Sequence, residues 1–232
     1  MKYSISIALF NNLALTRQCL GLLFQNCPEE FELLLTDNFS TDGTREYITA
    51  LPFTRKVVIL NEQNIGFGAA HNRALEVARG EYFVVLNNDI FIYERNWLTK
   101  LAAPFANRPR LAITGLKGNP CMIVVTPEIK GVWYPTIVEY VEASCLMIPT
   151  ALARTHGLFS PEFEFAYFED ADLSLRYRQM GYEILLVEVD FRHLRAQSAN
   201  LLDPAFLTTV FKKNEEVFKR KWSDYLKTRS FP

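Results

Sequence analysis

The chain has 232 residues, 49% hydrophobic and 22% charged, with a formal net charge of −1. That length is enough to bury one well-formed core, and the near-neutral balance supplies no global field for nucleic acid or an anionic surface. No run approaches ~18 apolar residues, and the apolar opening stops at Asn11-Asn12 without a small-residue cleavage site, so a single cytoplasmic domain over residues 1–232 is expected. Cys19, Cys27, Cys121 and Cys145 show neither metal-site spacing nor the density of a disulfide scaffold and read as reduced, mostly buried residues.

In chain order, β-rich runs at Ser4 to Phe10, Phe31 to Thr36, Lys56 to Leu60 and Tyr82 to Leu86 alternate with helical patterns at Leu13 to Phe24, Thr41 to Ala50 and Gly68 to Ala78. This alternation predicts βαβ units and a mostly parallel sheet. Next come a helix near Trp97 to Ala106, a Pro/Gly-punctuated stretch of hairpins and loops from Arg108 to Pro135, and a strand-like Glu142 to Ile148. A helix from Asp170 to Met180 carries an Asp172 to Arg176 pair, Gly181 ends it, and Glu183 to Val187 returns as a strand. The last segment, Pro204 to Lys227, is amphipathic, with a basic flank at Lys212, Lys213, Lys219, Arg220 and Lys221. It suits a helix packed on the domain, a membrane-surface helix or a dimer contact.

Polar clusters punctuate these elements. In an open parallel sheet, groups beyond the strands' carboxyl ends converge on one crevice. Asp37-Asn38-Phe39-Ser40-Thr41-Asp42 follows an apolar run; such residues usually cap a helix, but Asp37 could also accept from a base or ribose beside amides that face phosphate. Asn64 to Asn72 holds Gly66 and Gly68 where the chain enters a helix, and His71 within it reads as a solvated helix residue. Asn87-Asn88-Asp89 is a turn or a weak divalent-cation site completed by a diphosphate and water. Glu169-Asp170 starts a helix, whose dipole would keep a carboxylate ionised and able to take a proton from a sugar hydroxyl. His193, 23 residues beyond Asp170, would with Asp89 favour Mn²⁺ over Mg²⁺.

Taken in order, these motifs resemble the family 2 glycosyltransferases, the inverting GT-A type of surface-polysaccharide pathways, over most of the chain. Ser4 to Asn12 looks like the opening strand and loop, Asp37 to Thr44 like the D-N-x-S-x-D-G-T element, and Asn64 to Asn72 like N-x-G-F-x-x-x-x-N. Asn87-Asn88-Asp89 stands at the D-x-D position with one carboxylate, Glu142 to Ile148 is similar to the acceptor-framing strand, and Phe159 to Leu173 to the E-D-x-D-L stretch. The resemblance implies an α/β GT-A fold with a smaller antiparallel acceptor-side section and a nucleotide-sugar donor, UDP-hexose or dTDP-rhamnose. It further implies donor contacts from Phe10, Asn11, Asp37, Asn38, Ser40, Asn64, Gly66, Phe67, Asn72, Asn87 and Asn88, and a Mn²⁺ or Mg²⁺ ion at Asp89 and His193. Asp170 would be the catalytic base and Glu169 its orienting neighbour. A glycan or lipid-linked acceptor is expected, with peripheral contact at the inner face of the cell membrane through the last helix.

Two other classes compete. A nucleotidyltransferase would carry a glycine-rich, basic phosphate loop near the N-terminus, which Ile7 to Asn12 lacks. A non-catalytic sugar-nucleotide or partner-binding module would keep the site without turnover.

Overall fold

The computed structural model describes residues 1–119, 140–195 and 197–228. Its first part alternates β1 (Tyr3–Leu9), α1 (Leu13–Asn26), β2 (Phe31–Asp37), α2 (Thr44–Ala50), β3 (Lys56–Leu60), α3 (Phe67–Val77) and β4 (Tyr82–Leu86). There follow β5 (Ile90–Ile92), α4 (Trp97–Ala102) running into a 3-10 turn over Ala103–Asn107, β6 (Leu111–Gly115), β7 (Gly118–Asn119), β8 (Tyr140–Val141) and β9 (Cys145–Pro149). The last elements are α5 (Thr150–His156), α6 (Glu169–Gln179), β10 (Glu183–Leu186), β11 (Phe191–His193), a 3-10 turn over Ala199–Leu201 and α7 (Pro204–Thr228).

Among the described residues, seven strands form one sheet in the order β10-β6-β9-β4-β1-β2-β3, and β9 alone runs against its neighbours β4 and β6. Alternation along β1 explains how the sheet is covered. Tyr3, Ile5, Ile7 and Leu9 enter one apolar layer with Leu20 and Leu23 of α1 and Trp97 and Leu101 of α4. The opposite face of β1 carries only the small Ser4, Ser6 and Ala8, which lets α3 approach closely. There Leu34, Phe83 and Val85 pack with Ala74 of α3 and Leu173 and Tyr177 of α6. Each leucine so buried stabilises the fold by roughly 1.5–3 kcal/mol.

The parallel βαβ reading holds, and two expectations change. β6 lies within the stretch expected as hairpins and loops: all five of its residues are buried, but a run this short between Pro109 and Gly118 carries no periodicity to separate strand from loop. Residues 120–139 of that stretch, with Cys121, lie outside the described residues. α2 begins at Thr44 rather than Thr41 because the Asp42 carboxylate accepts from Thr44 N–H at 3.1 Å and from Leu13 N–H at 2.8 Å, tying the starts of α2 and α1 together. Cys19, Cys27 and Cys145 are buried free thiols, as expected. The terminal helix packs on the body of the protein, with Val210, Asn214, Phe218 and Trp222 buried.

Candidate active site

A cavity of about 490 Å³ opens where the carboxyl ends of β1 and β4 meet the start of β9 and the start of α6. Register sets this edge: Leu9 pairs with Asp37 across β1 and β2, and Leu86 pairs with Cys145 across β4 and β9. Asn87-Asn88-Asp89 therefore leaves β4 directly at the cavity wall, with Asn87 N–H donating to Ser144 O at 2.9 Å. The antiparallel pair β5 and β11 then folds His193 back over this turn, with His193 opposite Ile90 and Leu194 N–H donating to Asp89 O at 3.0 Å.

His193 Nε2 stands 3.4 Å from Asp89 Oδ1. Asp89 Oδ1 and His193 Nδ1 are both buried without a hydrogen-bond partner. An unpartnered carboxylate oxygen facing an imidazole is a donor set that fits a divalent cation. Among the described residues there is no group of three or more His, Cys, Asp or Glu able to hold a metal, so a cation here would take its remaining ligands from substrate and water.

The carboxylate pair lines the same cavity. Phe165, Tyr167 and Phe168 have φ of 64°, 78° and 71°, left-handed values that cost about 1–2 kcal/mol each for side-chain-bearing residues. They turn the chain sharply into α6, so Glu169 and Asp170 emerge in its first turn facing the cavity. Asp170 Oδ1 accepts from Ala171 N–H at 2.8 Å and Oδ2 from Ala143 N–H at 3.4 Å. Glu169 Oε2 is buried with no partner. Burial pushes both carboxyls up from their ordinary values, and the neighbouring Asp170 charge adds to the rise at Glu169. Desolvation thus outweighs a dipole effect of roughly 0.3–1 kcal/mol, and the expectation that the helix start keeps a carboxylate ionised near neutral pH fails for Glu169, the more strongly raised of the two, and not for Asp170. The chain leading into α6 is irregular, with Phe168 as its left-handed cap.

The glycosyl transferase family 2 pattern matches residues 4–143. The chain belongs to this family. Among relatives, it is 29% identical over 123 residues to a poly(ribitol-phosphate) beta-glucosyltransferase of Bacillus spizizenii, covering 51% of this chain and 19% of that one. It is 31% identical over 103 residues to a PGL/p-HBAD biosynthesis glycosyltransferase of Mycobacterium bovis, covering 44% of this chain and 40% of that one. The matched stretch thus spans well under half the length of these two relatives.

Among solved structures, the family 2 chain is similar to the mannosyltransferase PcManGT of Pyrobaculum calidifontis in complex with GDP-Man and Mn²⁺, with a TM-score of 0.63 and 18% identity over 81% of this chain and 55% of that one. S. aureus TarS in complex with UDP-GlcNAc gives a TM-score of 0.63 and 20% identity over 90% of this chain and 64% of that one. The fold is GT-A: a mostly parallel sheet flanked by helices.

Of the residues expected to bind the donor, this family 2 chain brings Phe10, Asn38, Asn64, Gly66, Phe67, Asn87 and Asn88 to the cavity, together with Asp89, Glu169, Asp170 and His193. Four others stand behind that wall. Asp37 is fully buried, accepting from Arg45 Nε at 2.9 Å and from the amides of Phe39 and Ser40. Asn11 and Ser40 clasp the two loops together, Asn11 N–H donating to Ser40 Oγ at 2.7 Å and Thr41 N–H to Asn11 Oδ1 at 2.8 Å. Asn72 brackets the backbone of Phe159 through both ends of its amide. His71, expected in solvent, is fully buried between Phe67 and Phe159, with Nδ1 2.8 Å from Ser6 Oγ. Burial pushes its pKa down to about 3, and the reason is local: only small β1 residues lie beneath it.

The motifs gave no warning of the far wall, where Gln197, Ser198, Leu207 and Phe211 line the cavity. One signal was available in Asn214, a polar residue at helical spacing between Val210 and Phe218 on the apolar stripe. No helix among the described residues is long and apolar enough to cross a membrane.

Proposed function

We propose that this protein is an inverting glycosyltransferase that moves a sugar from a nucleotide-diphosphate sugar, a UDP-hexose or dTDP-rhamnose, to a hydroxyl of a glycan or lipid-linked acceptor in surface-polysaccharide synthesis. The observation that carries this reading is one cavity lined both by the Asp89–His193 pair and by Asp170 with its neighbour Glu169. The mannosyltransferase and TarS structures, bound to GDP-Man with Mn²⁺ and to UDP-GlcNAc, support a nucleotide-sugar donor.

Asn38, Asn64 and the Gly66–Phe67 backbone line the half of the cavity suited to the nucleoside. Asp89, Glu142, Glu169 and Asp170 line the cavity, while its described lining includes no lysine or arginine. A diphosphate placed there needs a cation; Asp89 and His193 would hold it, and it would supply charge neutralisation for the leaving group. Asp170 takes the proton from the acceptor hydroxyl as its oxygen attacks the anomeric carbon, and one in-line displacement inverts the configuration. A raised pKa suits that step by bringing the base closer to the proton it removes. It also places the acid limb of kcat above the usual carboxylate range.

The test is Asp170→Asn, assayed by nucleoside diphosphate release from UDP-glucose and dTDP-rhamnose with Mn²⁺. A loss of roughly 10²- to 10⁴-fold with nucleotide binding retained is expected. Undiminished release would remove Asp170 from the role of base.

A further inference from the structure

The buried amide of Asn214 lies beyond the residues that the family pattern covers, in the middle of α7. Its side chain is fully buried and bonded to one segment through both ends of the amide. Nδ2 donates to Glu164 O at 2.8 Å, Ala166 O at 2.8 Å and Tyr167 O at 3.2 Å, and Oδ1 accepts from Glu164 N–H at 3.2 Å. That segment contains the left-handed Phe165 and Tyr167 and runs directly through the left-handed Phe168 into Glu169-Asp170. On its other side it meets the loop before α3: Phe67 N–H donates to Phe165 O at 2.6 Å, and a Cβ on Gly66 would collide with the Phe165 backbone.

We infer that Asn214 is a positioning residue for the transfer step, a clamp that holds residues 164–168 in their left-handed course and so fixes where Asp170 stands. The physical argument is one of competition. Side-chain-bearing residues leave the left-handed region readily when nothing holds them, and the carbonyls of such a turn point away from any regular ladder. One carboxamide ties three of these carbonyls, two of them sharing one N–H, and an amide to α7 at once, which favours the unusual course over one that leaves these groups unbonded. A displacement of Asp170 of about 1 Å is enough to slow a reaction on the order of a hundredfold.

The inference rests on Asp170 being the base, so the experiment carries Asp170→Asn in parallel. In the full chain, Asn214→Ala is expected to accelerate hydrogen exchange at amides 164–170 while α7 remains helical. It is also expected to lower kcat for nucleoside diphosphate release from UDP-glucose or dTDP-rhamnose ten- to a hundredfold, with the dissociation constant for UDP or dTDP plus Mn²⁺ unchanged. Asn214→Ser, which keeps one donor, replaces it if the alanine variant does not fold, and should show a smaller change of the same kind. Exchange that stays at the wild-type rate overturns the clamp. So does wild-type release by the Asn214 variant when Asp170→Asn has lost it, or a fall in nucleotide binding that matches the fall in rate. If Asp170→Asn itself turns over normally, the base assignment fails, and the exchange data alone decide the role of Asn214.

Discussion

In the loops after β1 and β2 and at the start of α3, motif side chains other than His71, whose Nε2 is unpartnered, are bonded to protein. Asp37 is held by Arg45 and two amides, Asn11 and Ser40 clasp each other's loops, and Asn72 grips Phe159. At β11, the Asp89 turn and the start of α6, Asp89 Oδ1, His193 Nδ1 and Glu169 Oε2 are buried with no partner. The difference teaches that a shared motif can serve two ends. The first region uses its polar residues to fix backbone, while the second holds polar atoms that no protein group satisfies.

The sharpest way to break this comparison is to exchange the expected consequences. Beyond the loss predicted for Asp170→Asn, the largest effect should come from Asp37→Ala, which leaves Arg45 without its buried partner. About 3 kcal/mol of stability should disappear in urea denaturation, while whatever folded protein remains keeps its Mn²⁺ response. A variant as stable as the parent would mean that Asp37 does not hold the loop. Asp89→Ala should do the reverse, weakening Mn²⁺-dependent nucleotide binding by about tenfold or more, a change of ~1.4 kcal/mol, with the melting temperature of the free protein near that of the parent. Equal nucleotide affinity in titrations with and without chelator would count against the Asp89–His193 pair.

The smallest effect concerns Glu169. Burial, then the charge of Asp170, raises its carboxyl above the unfolded value, so the native state binds the proton more tightly than the unfolded chain does. The sign follows: its contribution to stability is present in full at low pH and is lost as pH rises through the raised value. Glu169→Gln should therefore melt at about the same temperature as the parent near pH 4 and higher at pH 9, by on the order of 2 °C. A gain that is constant across pH would assign the effect to packing instead of charge.

How much of this was legible follows from the same contrast. β1 to β4 were readable because each is a β-rich run followed by a polar stop, and helices at 3.6-residue spacing separate them. β6 was not, since five buried residues between turn formers look the same as a tight loop. At the site, sequence order brought Asp89, Glu169, Asp170 and His193 together correctly because chemistry-bearing residues stood at element ends. It could not separate residues that face the cavity from those behind its wall. Asp37 and Asn38 are neighbours in one motif, yet only Asn38 reaches the cavity, and the partner that turns Asp37 inward is Arg45, eight residues on. The raised carboxyl values escaped for a related reason: the helix start was visible, whereas the burial around it comes from distant segments.

The measurement that bears most directly on the central claim, a metal-assisted nucleotide-sugar site in this cavity, is a thermal-shift panel of UDP, dTDP, GDP and CMP with and without Mn²⁺. A ligand at ~100 times its Kd stabilises the native state by about 2.7 kcal/mol, or roughly 5–10 °C for a chain of this size. The account predicts that UDP or dTDP gives such a rise only with Mn²⁺, and that Asp89→Ala removes it. A shift of equal size with and without the metal, or none with any nucleotide, would contradict it.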